Sequence, residues 1–321
     1  MRKVSFLQAQ KEAISEEMAR DPTVFAMGET IRTMSTTGQW EGLVEKYGEK
    51  RVMDTAISET AILGAAIGAA AAGMRPIASL MFVDFMAVCG DELVNQLQMR
   101  YMFGGKIKLP LTILAGCGAG RSVGAQHSKS LFGWLMAVKA LKIAVPSTAY
   151  DAKGLLKAAI RDDNPVVFLT HKLLARESSQ IPEEDFVVPL GKAAVRREGK
   201  DVTIVTIGYS VNVALNAAER LQQNGISAEV IDLRTLVPLD KETVIKSVQK
   251  TGRIVVSTEE PRTGSAASEI AALVAEEALE YLDAPVKRVC APDTPIPFSP
   301  VLEKAWMPGE DALVNAVTQI V

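Results

Sequence analysis

Only two histidines, His127 and His171, occur among 321 residues. So little imidazole excludes a histidine-rich metal centre and leaves two candidates for histidine-based proton transfer. Cysteine is scarce as well: Cys89, Cys117 and Cys290 are too few and too scattered for a disulfide framework or a cysteine zinc site. Aromatic residues make up 5%, so the core is left to Ala, Val, Ile, Leu and Met; with 48% hydrophobic and 23% charged residues the composition is globular rather than disordered or fibrous. Neither sign of charge dominates. A net charge of -3 argues against nucleic acid or an anionic membrane as the main partner. Long apolar runs are missing too: residues 61–74, the longest stretch without charge or strong polarity, fall far short of the roughly 20 that a spanning helix needs. Met1-Arg-Lys-Val-Ser leads straight into a charged amphipathic segment with no apolar signal core, so a cytoplasmic location is expected.

What is present is an alternation of helical and strand periods along nearly the whole chain. Ser5 is placed to cap a helix running to about Arg20, with Gln8 completing a capping box. Strands are predicted at 24–27, 52–56, 77–82, 111–114, 142–145 and 166–170, with helices over 58–73, 84–101, 128–138 and 150–160. Strands alternating with helices indicate a largely parallel sheet covered on both faces. Residues 175–190 are polar, contain Pro182 and Pro189 and lack a period, so they are expected to link two domains, 1–174 and 191–321. The second domain is predicted to hold strands at 202–207, 228–233, 253–257 and 286–288. Its helices are expected at 211–224, 241–250, 265–282 and 309–321.

In an open α/β sheet, ligands bind beyond the carboxyl ends of the strands. Glu29, Glu59, Phe85 and His127 all follow predicted strands, so four reactive or stacking groups could converge on one pocket. Each also has a plain structural account: Glu29 and Glu59 as first-turn acids on helix dipoles, Phe85 as core, His127 as a cap. Gly64 and Gly68 sit inside a helix, at a cost of about 1 kcal/mol each against alanine, which a tight helix crossing, within the chain or between subunits, would offset. The glycine-rich loop 116–124 lacks the Gly-Lys-Ser/Thr of a phosphate-binding loop and reads as a mobile loop or tight turn. His171 reads as structural or exposed. Arg161-Asp-Asp-Asn-Pro165 forms a turn that connects two elements or holds a monovalent cation.

Several motifs are more specific. Asp54-Thr-Ala-Ile-Ser-Glu59, Gly64-Ala-Ala-Ile-Gly68, Gly73-Met-Arg-Pro76, Tyr101-Met-Phe-Gly-Gly105 and Gln126-His-Ser128 lie in the first half. Pro146-Ser-Thr, Asp151-Ala-Lys-Gly-Leu-Leu-Lys157, Ala159-Ile-Arg-Asp-Asp-Asn-Pro-Val-Val167, Asp232-Leu-Arg-Thr-Leu-Val-Pro-Leu-Asp240 and Pro292-Asp-Thr-Pro-Ile-Pro-Phe-Ser299 follow in order. From about residue 4 to the C-terminus, the chain resembles the E1 β subunits of thiamine-diphosphate-dependent 2-oxo acid dehydrogenases: the pyruvate, branched-chain and acetoin enzymes.

The resemblance implies a transketolase-like α/β fold with a pyrimidine-binding domain and a transketolase C-terminal domain. It implies that Glu59 hydrogen-bonds the pyrimidine N1′ of thiamine diphosphate and so favours the tautomer whose 4′-nitrogen removes the thiazolium C2 proton. A buried glutamate with a raised pKa would suit that role. Phe85 matches the residue stacked on the pyrimidine, Glu29 a second acid lining the pocket, and His127 the histidine near the substrate and the incoming lipoyl arm. Leu111, Ala159, Ile160, Asp162 and Asn164 match positions that hold a structural potassium ion in relatives.

One absence within the resemblance matters. Related enzymes hold Mg²⁺ and the diphosphate on a Gly-Asp-Gly…Asn motif, whereas the Gly-Asp of this chain is Gly90-Asp91-Glu92, inside a predicted helix and without that spacing. An E1 α subunit is therefore expected to supply that half in an α2β2 assembly, with an E2 lipoyl acyltransferase as the acceptor. Expected alternatives are acetoin cleavage, the C-terminal half of a split transketolase or deoxyxylulose-phosphate synthase, and a non-catalytic subunit that has kept the fold. Two histidines speak against sugar-phosphate contacts; Glu59 speaks against the non-catalytic reading. The sequence departs from the family after Glu29 (Thr30 to Trp40), at Arg121, and at Lys129, where Gln often follows His-Ser. Arg121 or Arg32 could pair with a substrate carboxylate or lie on solvated surface.

Overall fold

The computed structural model describes residues 1–32, 38–102 and 104–321. Positions 33–37, in the departure after Glu29, and Phe103, in the Tyr101–Gly105 motif, lie outside the described residues. In chain order the first elements are β1 (Arg2–Ser5), α1 (Phe6–Arg20), β2 (Val24–Glu29), α2 (Leu43–Tyr47), β3 (Val52–Thr55), α3 (Glu59–Ala71), β4 (Arg75–Phe82), α4 (Gly90–Val94), α5 (Met99–Met102) and β5 (Thr112–Cys117). Next come α6 (Phe132–Met136), β6 (Lys142–Ala144), α7 (Ala149–Arg161), β7 (Val166–His171) and β8 (Ser178–Ile181). The remainder are β9 (Ala194–Arg197), β10 (Val202–Thr206), α8 (Ser210–Gln223), β11 (Ala228–Asp232), β12 (Thr235–Val237), α9 (Lys241–Thr251), β13 (Ile254–Pro261), α10 (Ala266–Glu277), β14 (Lys287–Ala291), α11 (Pro300–Trp306) and α12 (Glu310–Thr318). Among the described residues no helix is long and apolar enough to cross a membrane.

The chain forms two compact units: Met1–Cys117 with Val138–Leu190, and Gly118–Ala137 with Gly191–Val321. In the first unit β6-β7-β5-β4-β2-β3 run parallel, as the apolar runs and intervening helices lead one to expect. Ser5 caps α1 by accepting from the Gln8 amide. α1 packs against α7, and Ile14, Met18, Leu155, Leu156 and Ile160 are buried together with Val24, Val166 and Phe168 of the sheet. A buried ion network ties the two helices: Lys153 Nζ lies 3.1 Å from Glu12 and 2.7 Å from Glu16, and Lys157 Nζ lies 2.6 Å from Glu16. Residues 175–190, polar enough to read as a linker, fold onto this unit. β8 pairs antiparallel with β1, and the Val188 amide donates to the Gly154 carbonyl at 3.1 Å.

The second unit has the strand order β14-β13-β10-β11-β9, parallel except for β9. Its core joins Val202, Ile204, Val230 and Val255 to Ala214, Ala218 and Leu221 of α8 and to Leu313 and Val317 of α12. The strands at 194–197, 178–181 and 235–237 and the helices α2 and α11 escaped the periodicity, being three to seven residues long.

Several predicted helices are shorter than their patterns: 265–282 ends in α10 at Glu277, and two others are cut further. The stretch 84–101 breaks into a 3-10 turn at Val83–Ala87, α4, a second 3-10 turn at Gln96–Gln98 and α5. The Val88 carbonyl accepts from Thr60 Oγ1 at 3.1 Å, and Asn95 Nδ2 donates back to Asp91 at 2.7 Å, so local side-chain bonds compete with a continuous ladder. The expected helix at 128–138 is reduced to α6, because a distant carboxylate, Glu260, accepts the Gly133 amide at 2.7 Å and sets the first turn there.

Candidate active site

β4, β2 and β3 are neighbours, and their carboxyl ends bring three of the four expected residues to one edge of the first sheet. Glu29 is the last residue of β2, paired in register with Thr55 at the end of β3. Glu59 opens α3, four residues beyond Thr55, and is 8% exposed. Phe85 lies on the 3-10 turn that leaves β4, half-buried, with its ring edge-on to Phe82 at 5.8 Å. Lys172 Nζ stands 5.1 Å from the Phe82 ring and fixes the other side of that aromatic pair.

Gly28 makes this approach of strands possible. A Cβ there would lie 2.5 Å from the Ser79 carbonyl oxygen and 2.7 Å from its Cβ, so only glycine fits between β2 and β4. The next residues turn sharply: Thr30 has φ 52°, an unusual left-handed conformation for a β-branched residue. Burial raises the Glu29 carboxyl above its ordinary pKa, and the charge of Glu59 raises it further. The two acids therefore sense each other. Burial raises the Cys89 thiol to about 12, with smaller contributions from Glu92 and Glu59, so this cysteine stays protonated and unreactive. Thr55 Oγ1 is buried without a hydrogen-bond partner among the described residues, an unsatisfied polar atom at the same strand ends.

These groups suit an aminopyrimidine ring: a buried carboxyl able to exchange a proton with a ring nitrogen, a half-buried phenyl face, a second acid with a raised pKa and a spare hydroxyl. Periodicity and motif could find Glu59 and Phe85. Gly28, Thr55 and Phe82 escaped notice, because their contribution depends on strand neighbours that only the sheet defines.

His127 lies on the segment that folds with the second unit, half-buried, its amide donating to the Gly124 carbonyl at 3.3 Å. Arg121 is exposed on the same segment, and Lys129 Nζ donates to the Ala125 carbonyl. Arg32 pairs with Glu49 at 2.5 Å, and its amide donates to Asp54 at 2.7 Å. His171 is structural: it is 3% exposed, and its Nδ1 accepts from the Leu173 amide at 3.2 Å.

The positions matched to a potassium ion gather around the 161–165 turn. The Leu111 carbonyl accepts from the Val166 amide at 2.8 Å and the Ala159 carbonyl from the Asp162 amide at 3.3 Å. Arg75 Nη1 donates to the Ile160 carbonyl at 3.1 Å and to the Asp162 carbonyl at 3.0 Å. Asn164 closes the turn through its amide and Nδ2 on Asp162 Oδ1 at 2.8 and 2.6 Å. Four carbonyls thus each accept one hydrogen bond here, of the two that a carbonyl oxygen can take. Asp91, at the start of α4, accepts from Asn95 and Gln96 at 2.7 and 2.9 Å, and these bonds hold its pKa below the ordinary value. Among the described residues no group of three or more His, Cys, Asp and Glu is arranged to hold a metal ion.

Residues 2–178 match the transketolase pyrimidine-binding domain and residues 191–313 the transketolase C-terminal domain. The β subunit of the acetoin:2,6-dichlorophenolindophenol oxidoreductase of Cupriavidus necator is 48% identical over 98% of this chain and 96% of its own length. The mitochondrial pyruvate dehydrogenase E1 component subunit beta-1 of Arabidopsis thaliana is 45% identical over 96% and 86%. A solved structure of a split-gene transketolase, described as an inactive β4 tetramer, superposes with a TM-score of 0.79 at 25% identity, covering 99% of this chain and 98% of its own. With both domain matches and full-length relatives at this identity, the chain belongs to the thiamine-diphosphate-dependent, transketolase-like family, among the β subunits of the E1 components of 2-oxo acid and acetoin dehydrogenases.

Proposed function

We propose that this chain is the β half of a pyruvate-type E1, catalysing oxidative decarboxylation of a 2-oxo acid and reductive acylation of lipoamide on an E2 acyltransferase. The observation that carries the reading is the placement of Glu29, Glu59 and Phe85 at the carboxyl ends of three adjacent parallel strands. When bound, thiamine diphosphate supplies the carbon nucleophile and the electron sink for loss of carbon dioxide. Glu59 would hydrogen-bond the pyrimidine N1′, Phe85 would support the ring face, and Glu29 would contribute a second acid, which burial and the Glu59 charge raise above its ordinary pKa. His127 exchanges a proton with the substrate or the lipoyl sulfur.

Magnesium and the diphosphate are left to an E1 α subunit, in an α2β2 assembly. Two features support a partner. Asp91 is committed to Asn95 and Gln96. The glycine stripe of α3 is open among the described residues: a Cβ at Gly64 would come no closer than 3.9 Å to Glu92 Cγ, and one at Gly68 would meet nothing within 4 Å. The tight crossing that offsets two helical glycines is therefore one that an α chain or a second β chain would make. A potassium ion at the 161–165 turn would draw on the second lone pairs of the Leu111, Ala159, Ile160 and Asp162 carbonyls; a higher melting temperature in KCl than in LiCl would support it. A cytoplasmic location is part of the same proposal.

Acetoin is the second substrate reading, supported by the 48% identity to an acetoin oxidoreductase β subunit. Co-expression with an α-type chain, followed by a screen of 2-oxo acids, acetoin and ketose phosphates for thiamine-diphosphate-dependent dye reduction, separates these readings. Decarboxylation of pyruvate or a near relative is the expected result. Turnover by the isolated β chain, or with ketose phosphates alone, would overturn it.

A further inference from the structure

The 118–137 segment interrupts the first unit in sequence yet folds with the second. Its base is closed by the Gly118 amide on the Lys129 carbonyl at 2.9 Å, leaving a compact loop with His127 two residues before the closing Lys129. Three buried carboxylates of the second unit grip its backbone. Glu259 Oε1, on β13, accepts the Ala119 amide at 2.6 Å. Glu260 Oε1 accepts the Gly133 amide at 2.7 Å, while its Oε2 accepts the Ala266 amide at the start of α10 at 2.9 Å. Glu303 Oε2, on α11, accepts both the amide and the hydroxyl of Ser122, at 2.8 and 3.1 Å. The three glutamates are 4%, 4% and 2% exposed.

The conformation at Ser122 explains why a carboxylate is needed there. Its φ is 54°, in the left-handed region where a non-glycine residue is strained, and the two bonds to Glu303 compensate for that strain. Apolar contacts complete the grip. Ala119 is buried with Ala291, Ile296 and Trp306, and a Cβ added at Gly133 would lie 1.9 Å from the Gly264 carbonyl oxygen. Backbone amides accepted at both ends and at the bend leave the 123–131 stretch little freedom to shift as a body.

We propose that Glu303, together with Glu259 and Glu260, is a positioning residue for His127, so that the C-terminal unit sets the alignment of the histidine used in acyl transfer. The kinetic part rests on the reading of His127 given above; the structural part does not. The test uses the β chain reconstituted with its α partner. In Glu303→Ala, amide hydrogen exchange over 119–128 should rise about tenfold or more, with β13 and α10 unchanged. Reductive acylation of a free lipoyl domain should fall about 10- to 100-fold in kcat, with KM for the 2-oxo acid nearly constant. Adding Ser122→Gly to Glu303→Ala should restore part of both, since glycine adopts the left-handed conformation without support. Ser122→Ala, which removes only the hydroxyl contact, should move both readouts in the same direction by a smaller factor and serves if Glu303→Ala does not fold. Unchanged exchange over 119–128, or exchange rising equally throughout the second unit without rescue by glycine, would overturn the proposal. If His127→Ala leaves acyl transfer intact, the histidine reading fails, and the exchange measurements alone decide the clamp.

Discussion

Glu29 at the end of β2 and Glu59 at the start of α3 are electrostatically coupled: the charge of Glu59 adds to burial in raising the Glu29 carboxyl pKa. Glu59→Gln removes that charge and the proton-exchanging carboxyl together. Thiamine-diphosphate-dependent turnover of the reconstituted enzyme should fall about 10²- to 10⁴-fold. The Glu29 pKa should move down toward its ordinary value while staying raised by burial, as a pH titration followed by carboxyl NMR would show. Undiminished turnover would favour a non-catalytic subunit.

The open glycine stripe on α3 separates folding of the chain from its assembly. A Cβ added at Gly68 meets nothing within 4 Å among the described residues, so Gly68→Leu starts from open space. The helix should gain about 1 kcal/mol from the better helix former, so thermal unfolding of the β chain alone should shift upward or stay level. Co-purification with the α chain should be lost or sharply reduced. Intact assembly would place the subunit contact elsewhere.

Acid should loosen the first unit through Glu12. Burial alone would raise this carboxyl, yet hydrogen bonds from Arg2, Gln8 and Lys153 hold it at about 2, against an ordinary 4.5. The folded state keeps Glu12 ionised where the unfolded chain takes up a proton, so its contribution is complete above about pH 4.5 and fades as pH falls toward 2. Solvent screening of this partly exposed network reduces its worth below the full shift, to on the order of 2 kcal/mol. Denaturant titrations between pH 6 and pH 3 should show Glu12→Gln with a shallower loss of stability than the parent chain.

Glu260 works in the opposite direction. Burial raises it to about 7, and the backbone amides of Gly133, Ala266 and Phe132 offset only part of that. The folded state retains a proton that the unfolded chain releases from about pH 4.5, so the second unit loses stability as pH rises from 4.5 through 7. Melting temperature should therefore decline across that window in the parent chain and decline less in Glu260→Gln. An identical pH profile for the two would show that Glu260 does not titrate in this range.

The sequence alone determined the alternation of helices and strands, the parallel character of the first sheet and the family. Long amphipathic periods, strand ends followed by acids, and ordered motifs are local properties that need no fold to be recognised. Glu59 was legible because a helix start advertises itself through its flanking residues. The tertiary structure alone decided which strand ends become neighbours, that Gly28 must be glycine beside Ser79, and that residues 175–190 pack as β8 on β1. It also assigned the His127 loop to the second unit through carboxylates more than a hundred residues away, and shortened α6 by the same contact. Hydrogen bonds between distant segments leave no period in the sequence, because the partner amides belong to the backbone and any residue can supply them.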